Sequence, residues 1–134
     1  MGIMKTDTTL RIARPTEHLE EVVRFYVEGL GLRVLESFED HEGFDGVMVG
    51  SPGARTHLEF TRRQGQPVGR APTEDHLLVF YMPDHEDWQA SVDRMQAAGY
   101  QAVRSSNPYW DRDGITFEDP DGYRVVLENS EWSS

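Results

Sequence analysis

Asp119-Pro120-Asp121-Gly122-Tyr123-Arg124-Val125-Val126-Leu127 joins a turn signature to an apolar run near the end of the chain. Aspartate, proline and glycine fall where a tight turn between strands wants them, and a β-branched apolar run follows directly. The segment therefore predicts a turn feeding a buried last strand, Tyr123–Glu128, with Gly114–Glu118 as the strand before the turn.

Working backwards, Leu77–Met82 reads as a strand closed by Pro83. Asp84 is a candidate N-cap with Asp87 at the third helical position, and Trp88, Val92 and Met95 recur at helical spacing until Gly99 stops the helix. Gln101–Arg104 is the next short strand. The first half repeats this order. Thr9–Arg14 alternates as a strand and Pro15 ends it. Thr16 is a candidate N-cap for a helix to about Leu30, with Leu19, Val22, Val23, Tyr26 and Leu30 as its stripe and Gly29 and Gly31 marking its end. Strands at Arg33–Phe38, Gly46–Val49 and Thr56–Thr61 follow. Pro15 and Pro83 are 68 residues apart and Val23 and Val92 are 69 apart, half the 134-residue chain, so the sequence reads as a duplicated unit. The expectation is an α+β fold: one domain over 1–134, module 1 about 8–61, linker 62–75 (RRQGQPVGRAPTED, a loop by composition) and module 2 about 76–129. The two βαβββ modules would form a curved mixed sheet around a cavity.

Composition narrows the function classes. A net charge of −11 argues against nucleic-acid binding, which needs a basic face to displace counterions. Hydrophobic residues at 37% and charged residues at 28% fit a globular domain, and no apolar run reaches the roughly 18–20 residues of a membrane span. With no export signal, a cytoplasmic location is expected. The absence of cysteine removes thiolate chemistry and cysteine metal sites. No serine nucleophile elbow, phosphate loop or HExxH motif occurs.

Two motifs carry a resemblance. One is Leu19-Glu20-Glu21-Val22-Val23-Arg24-Phe25-Tyr26 followed by Gly29-Leu30-Gly31-Leu32; the other is the Asp119–Leu127 stretch. Together, at opposite ends of a duplicated chain, they resemble the vicinal-oxygen-chelate superfamily (glyoxalase, bleomycin-resistance protein, extradiol dioxygenase) over about Thr9–Asn129. The resemblance implies a small-molecule cavity, commonly a homodimer, and in the enzymes one divalent ion held by four strands. Carried over position by position, the ligand set is damaged. The first position falls on Arg11, which stays protonated and cannot ligate. The second falls on Glu59, the third on His76, and anchoring on Pro15 and Pro83 instead pairs Arg11 with Val79. The fourth falls on Val126, with Glu128 two residues on as a substitute. The resemblance thus implies no metal cofactor in this chain, with Arg11 and Glu59 as a shielded ion pair in the ion's place. Arg11 as a surface residue of an edge strand is the competing reading.

His57 shares the face of Glu59 by strand alternation. His18, His41 and His85 read as surface residues. Tyr109 and Trp110, in the loop Ser105–Asp111, offer flat apolar surface with a polar handle for a ring-bearing ligand, or plug the end of a sheet. Two functions follow. One is a metal-free protein that binds or sequesters an organic ligand through Arg11, His57, Tyr109, Trp110 and Glu128. The other is a lyase, isomerase or dioxygenase of the same superfamily, metal-dependent or using Glu59 and His76 as acid and base.

Overall fold

The computed structural model describes residues 2–133. The strands are β1 (Leu10–Pro15), β2 (Arg33–His41), β3 (Phe44–Gly50), β4 (Thr56–Arg63), β5 (Leu77–Tyr81), β6 (Ala102–Val103), β7 (Gly114–Glu118) and β8 (Arg124–Glu128). The helices are α1 (Leu19–Arg24) and α2 (His85–Ala97). Two four-stranded mixed sheets result, ordered β1-β4-β3-β2 and β5-β8-β7-β6. In each the first strand runs parallel to the last, and the remaining pairs are antiparallel. The expected α+β architecture of two tandem βαβββ modules is what the chain adopts.

One core serves both modules. Leu19, Val22, Phe25 and Tyr26 meet Leu58 and Phe60 of the first sheet, Val92 and Met95 of α2, and Val125 and Leu127 of the second sheet. No helix of the described residues is long and apolar enough to cross a membrane.

Local differences from the sequence expectation have physical causes. Thr16 does not cap α1. Its Oγ1 accepts from the backbone N–H of His18, and His18 occupies the cap position without a side-chain bond. Asp84 does cap α2, accepting from the N–H of Glu86. The first helix does not run as α-helix to Leu30. It passes into a π-helical turn at Phe25–Gly29, whose extra residue per turn accompanies the burial of both adjacent residues, Phe25 and Tyr26. Gly31, at φ +82°, then reverses the chain. The strand expected at Gln101–Arg104 is reduced to Ala102–Val103, while β2 extends to His41 and β4 to Arg63. Leu10 and Ile12 lie opposite Thr56 and Leu58. That puts them on the helix-side face as expected, yet they stay 54% and 41% exposed because β1 is a sheet edge.

Candidate functional site

Strand register decides which side chains meet. In the first sheet Leu58 and Phe60 point into the core, so His57 and Glu59 face away from the helices. Arg11 lies directly opposite His57, and Ala13 opposite Glu59. Arg11, His57 and Glu59 therefore share one face. Arg11 Nε donates to His57 Nε2 at 2.9 Å, and Arg11 also reaches Glu59 at 3.8 Å. The shielding expected of the Arg11–Glu59 pair is one-sided: the Glu59 side chain is 13% exposed and that of Arg11 48%. The short contact belongs to His57. Because guanidinium can only donate, His57 Nε2 must accept, and in the neutral ring the proton sits on Nδ1.

The second sheet repeats the relation with different chemistry. Leu77 lies opposite Arg124, two residues before Val126, as Arg11 lies opposite His57, two before Glu59. The internal equivalent of Arg11 is thus Leu77. His76, one residue earlier, turns to the other face by alternation. It lines a cleft with Leu58, Phe60, Leu78 and Tyr123, with its Nδ1 2.9 Å from Thr73 Oγ1. Val79, to which the proline spacing pointed, is opposite Val126. Val126 is fully buried and has no donor atom. The four positions are therefore an arginine, a glutamate, a leucine and a valine. That set does not fit a divalent ion, and among the described residues no three His, Asp or Glu side chains converge as a metal cage would require.

Glu128 also faces away from the helices, opposite Gly114. It is 4% exposed, and its Oε1 has no hydrogen-bond partner among the described residues. Burial first, then the charges of Asp113 and Asp111, push its carboxyl above the ordinary glutamate range. A Cβ at Gly114 would fall 2.0 Å from Glu128 Oε1 and 2.7 Å from the Trp110 carbonyl oxygen, so only glycine admits this packing. Trp110 is half-buried in the 3-10 turn Pro108–Asp111, which Asn107 caps by accepting from the N–H of Tyr109. Tyr109 is exposed and stands edge-on to Trp110 at 5.0 Å. Tyr109, Trp110 and Glu128 thus gather at one end of the second sheet, while Arg11, His57 and Glu59 gather on the first.

Sequence reading missed the most connected polar cluster. Arg14 donates to Asp119 and Asp121, and Tyr26 donates its hydroxyl to the same Asp119 oxygen at 2.8 Å. The Arg14 guanidinium also lies 4.2 Å from the Tyr123 ring centroid and 4.9 Å from that of Phe60. Burial pushes the Asp119 carboxyl up, against the pull of Arg14. Burial opposes ionisation at Asp121 too, but bonds from Thr16, Arg14 and His18 win and hold it below the usual range. His18, although exposed as expected, is within 3.1 Å of Asp121. The signal was present: an alternating strand puts Arg14 on the same face as Leu10 and Ile12, where an arginine needs a partner.

The family models for the YycE-like N-terminal and C-terminal domains match residues 10–61 and 75–129. YycE of Bacillus subtilis (strain 168) is 50% identical over 121 residues, covering 90% of this chain and 87% of that protein. A crystal structure of YycE from Bacillus subtilis superposes with a TM-score of 0.87 at 48% identity over 96% and 93% of the two chains. Leishmania major glyoxalase I shares the fold at TM-score 0.70 and 21% identity, over 91% of this chain and 86% of that one. TnmS3, an antibiotic-binding protein from Streptomyces sp. CB03234, gives a TM-score of 0.64 at 26% identity over 96% and 97%. The chain belongs to the YycE-like family, on the fold of the vicinal-oxygen-chelate superfamily.

Proposed function

We propose that this protein binds an organic small molecule without the help of a metal ion, holding or sequestering it rather than transforming it. The observation that carries the reading is Arg11. A permanent cation, bonded to His57 and near Glu59, takes the first of the four ligand positions, and Leu77 and Val126 leave two more without a donor. The likeness to TnmS3, whose name describes antibiotic binding, supports a binding role on this scaffold. Proton abstraction shared between Glu59 and His76 has less support, since strand alternation turns the two side chains to opposite faces. We place the binder in the cytoplasm as a homodimer, consistent with an acidic chain lacking cysteine.

A library of ring-bearing small molecules, screened by melting shift in excess chelator, tests the reading. The expected result is a subset that raises Tm by several degrees, unchanged when zinc or manganese replaces the chelator. Shifts that appear only with added metal would contradict it.

A further inference from the structure

β1 and β5 are both sheet edges, and among the described residues neither is paired on its outer side. Two adjoining cavities lie along the seam between them, of about 360 Å³ and 270 Å³, and both are lined by Ile12, Leu58 and Leu78. They therefore read as one trough crossing that apolar floor. Val49 and Phe80 extend the lining at one end and Phe60 and Tyr123 at the other. Each cavity is on the scale of a small-molecule site rather than of a protein interface.

His76 lines the second cavity, while His57 edges the first from a position whose side chain turns to the opposite face of β4. From His57 to Phe60 along β4 the trough spans about 10 Å. Arg14, at the His76 end, is the cation of the lining, but its two terminal nitrogens are already taken by Asp119 and Asp121. Among the described residues no carboxylate lines either cavity. A charged ligand would lose its hydration there and find no free counter-charge, whereas a neutral one loses little. The flat Tyr123 ring, stacked on Arg14 and edge-on to His76 at 6.2 Å, presents a surface suited to another ring.

We propose that the seam between β1 and β5 is a binding site for an uncharged, elongated, ring-bearing organic molecule, lying across Ile12, Leu58 and Leu78 toward His76. This goes beyond the metal-free binding reading, since the trough lies on the face of β1 and β4 opposite to that of Arg11 and Glu59. Ile12 sits at the exposed rim of the trough, so it is the side chain through which the site can be closed without disturbing the core.

The probes are N-phenyl-1-naphthylamine, which is neutral and fluoresces in apolar surroundings, and its sulfonated relative 1-anilinonaphthalene-8-sulfonate. Titration into the purified chain is expected to saturate at one N-phenyl-1-naphthylamine per chain and to bind it at least about tenfold more tightly than the sulfonate. Ile12→Trp fills the trough and should weaken the neutral probe about tenfold. Its far-ultraviolet circular dichroism and Tm report whether it folds, and Ile12→Ser, which only trims the floor, provides a milder loss in the same direction. Equal or tighter binding of the sulfonate would overturn the uncharged class. Saturable binding untouched by both Ile12 variants would overturn the location while leaving metal-free binding intact. A dimer that Ile12→Trp converts to monomer would overturn the proposal too, since a second copy would then fill the trough. Neutral-probe binding at the seam that persists in a chain holding stoichiometric metal would sustain the site and sink the metal-free reading instead.

Discussion

Arg14 of β1 and Asp119 of the turn before β8, 105 residues apart in sequence, form a buried ion pair at 2.5 Å that ties module 1 to module 2. The Asp119 side chain is fully buried and that of Arg14 partly so, at 17% exposed. Asp121 takes the other guanidinium nitrogen at 2.7 Å, and the linker joins the same turn through Ala71 N–H to the Asp121 carbonyl. The Asp-Pro-Asp-Gly signature therefore makes more than a turn. It supplies two acceptors to the opposite module.

Arg14→Met should strand the Asp119 carboxylate in the core and cost about 3–5 kcal/mol in chemical denaturation. Adding Asp119→Asn should recover part of that loss, because no charge is then left alone. Burial already raises the Asp119 carboxyl, and loss of Arg14 raises it further. The deficit of Arg14→Met should accordingly shrink in acid, where Asp119 is protonated. A double mutant whose losses simply add would show that the two residues do not act as a pair.

Glu128 gives a pH dependence of definite sign. Its folded-state carboxyl is raised by burial and by Asp113 and Asp111, so the folded chain binds this proton more tightly than the unfolded chain. The stability it contributes is present below the ordinary glutamate range and is lost as pH rises through the raised value. Glu128→Gln should flatten that limb of the stability profile and stabilise the chain at neutral pH, by about 1–3 kcal/mol, since an uncharged amide replaces an unpartnered buried carboxylate. Denaturation curves of both proteins across the acid range check this, and an unchanged slope would count against it.

The Arg11–Glu59 contact is long and half-exposed, so its coupling should be small. A double-mutant cycle with Arg11→Met and Glu59→Gln should return less than about 1 kcal/mol, not the larger value of a fully buried pair. Arg11→Met should also free the Nε2 of His57, which NMR of the ring nitrogens would detect as a changed tautomer balance.

Self-association is expected through apolar surface left open at the β2 edge, where Val34 and Leu35 are exposed. Sedimentation at micromolar concentration should give twice the 15.3 kDa chain mass, and Leu35→Glu should shift it toward monomer. A mass near 15.3 kDa for the unaltered chain would contradict the homodimer.

How much the sequence disclosed follows from how local each signal is. The duplication, the strands and the turns are written in neighbouring residues: Pro15 against Pro83, Gly31 and Gly99 at helix ends, and the run into Val125 and Leu127. The face shared by His57 and Glu59 was legible because alternation within one strand sets it. Arg14 with Asp119 was not, because their partnership depends on how two modules pack more than a hundred residues apart. His76 differs for a smaller reason. Its assignment required a longer turn than usual between β5 and α2, and a one-residue difference in register sends a side chain to the opposite face. The burial of Phe25 beside Tyr26 required a π turn that no helical periodicity would show.

If this chain works without a resident metal ion, elemental analysis of the purified, dialysed protein will show it. Arg11, Leu77 and Val126 at three of four ligand positions predict zinc, nickel, iron and manganese far below one ion per chain. Near-stoichiometric metal surviving dialysis, and lost on Glu59→Gln, would contradict the account.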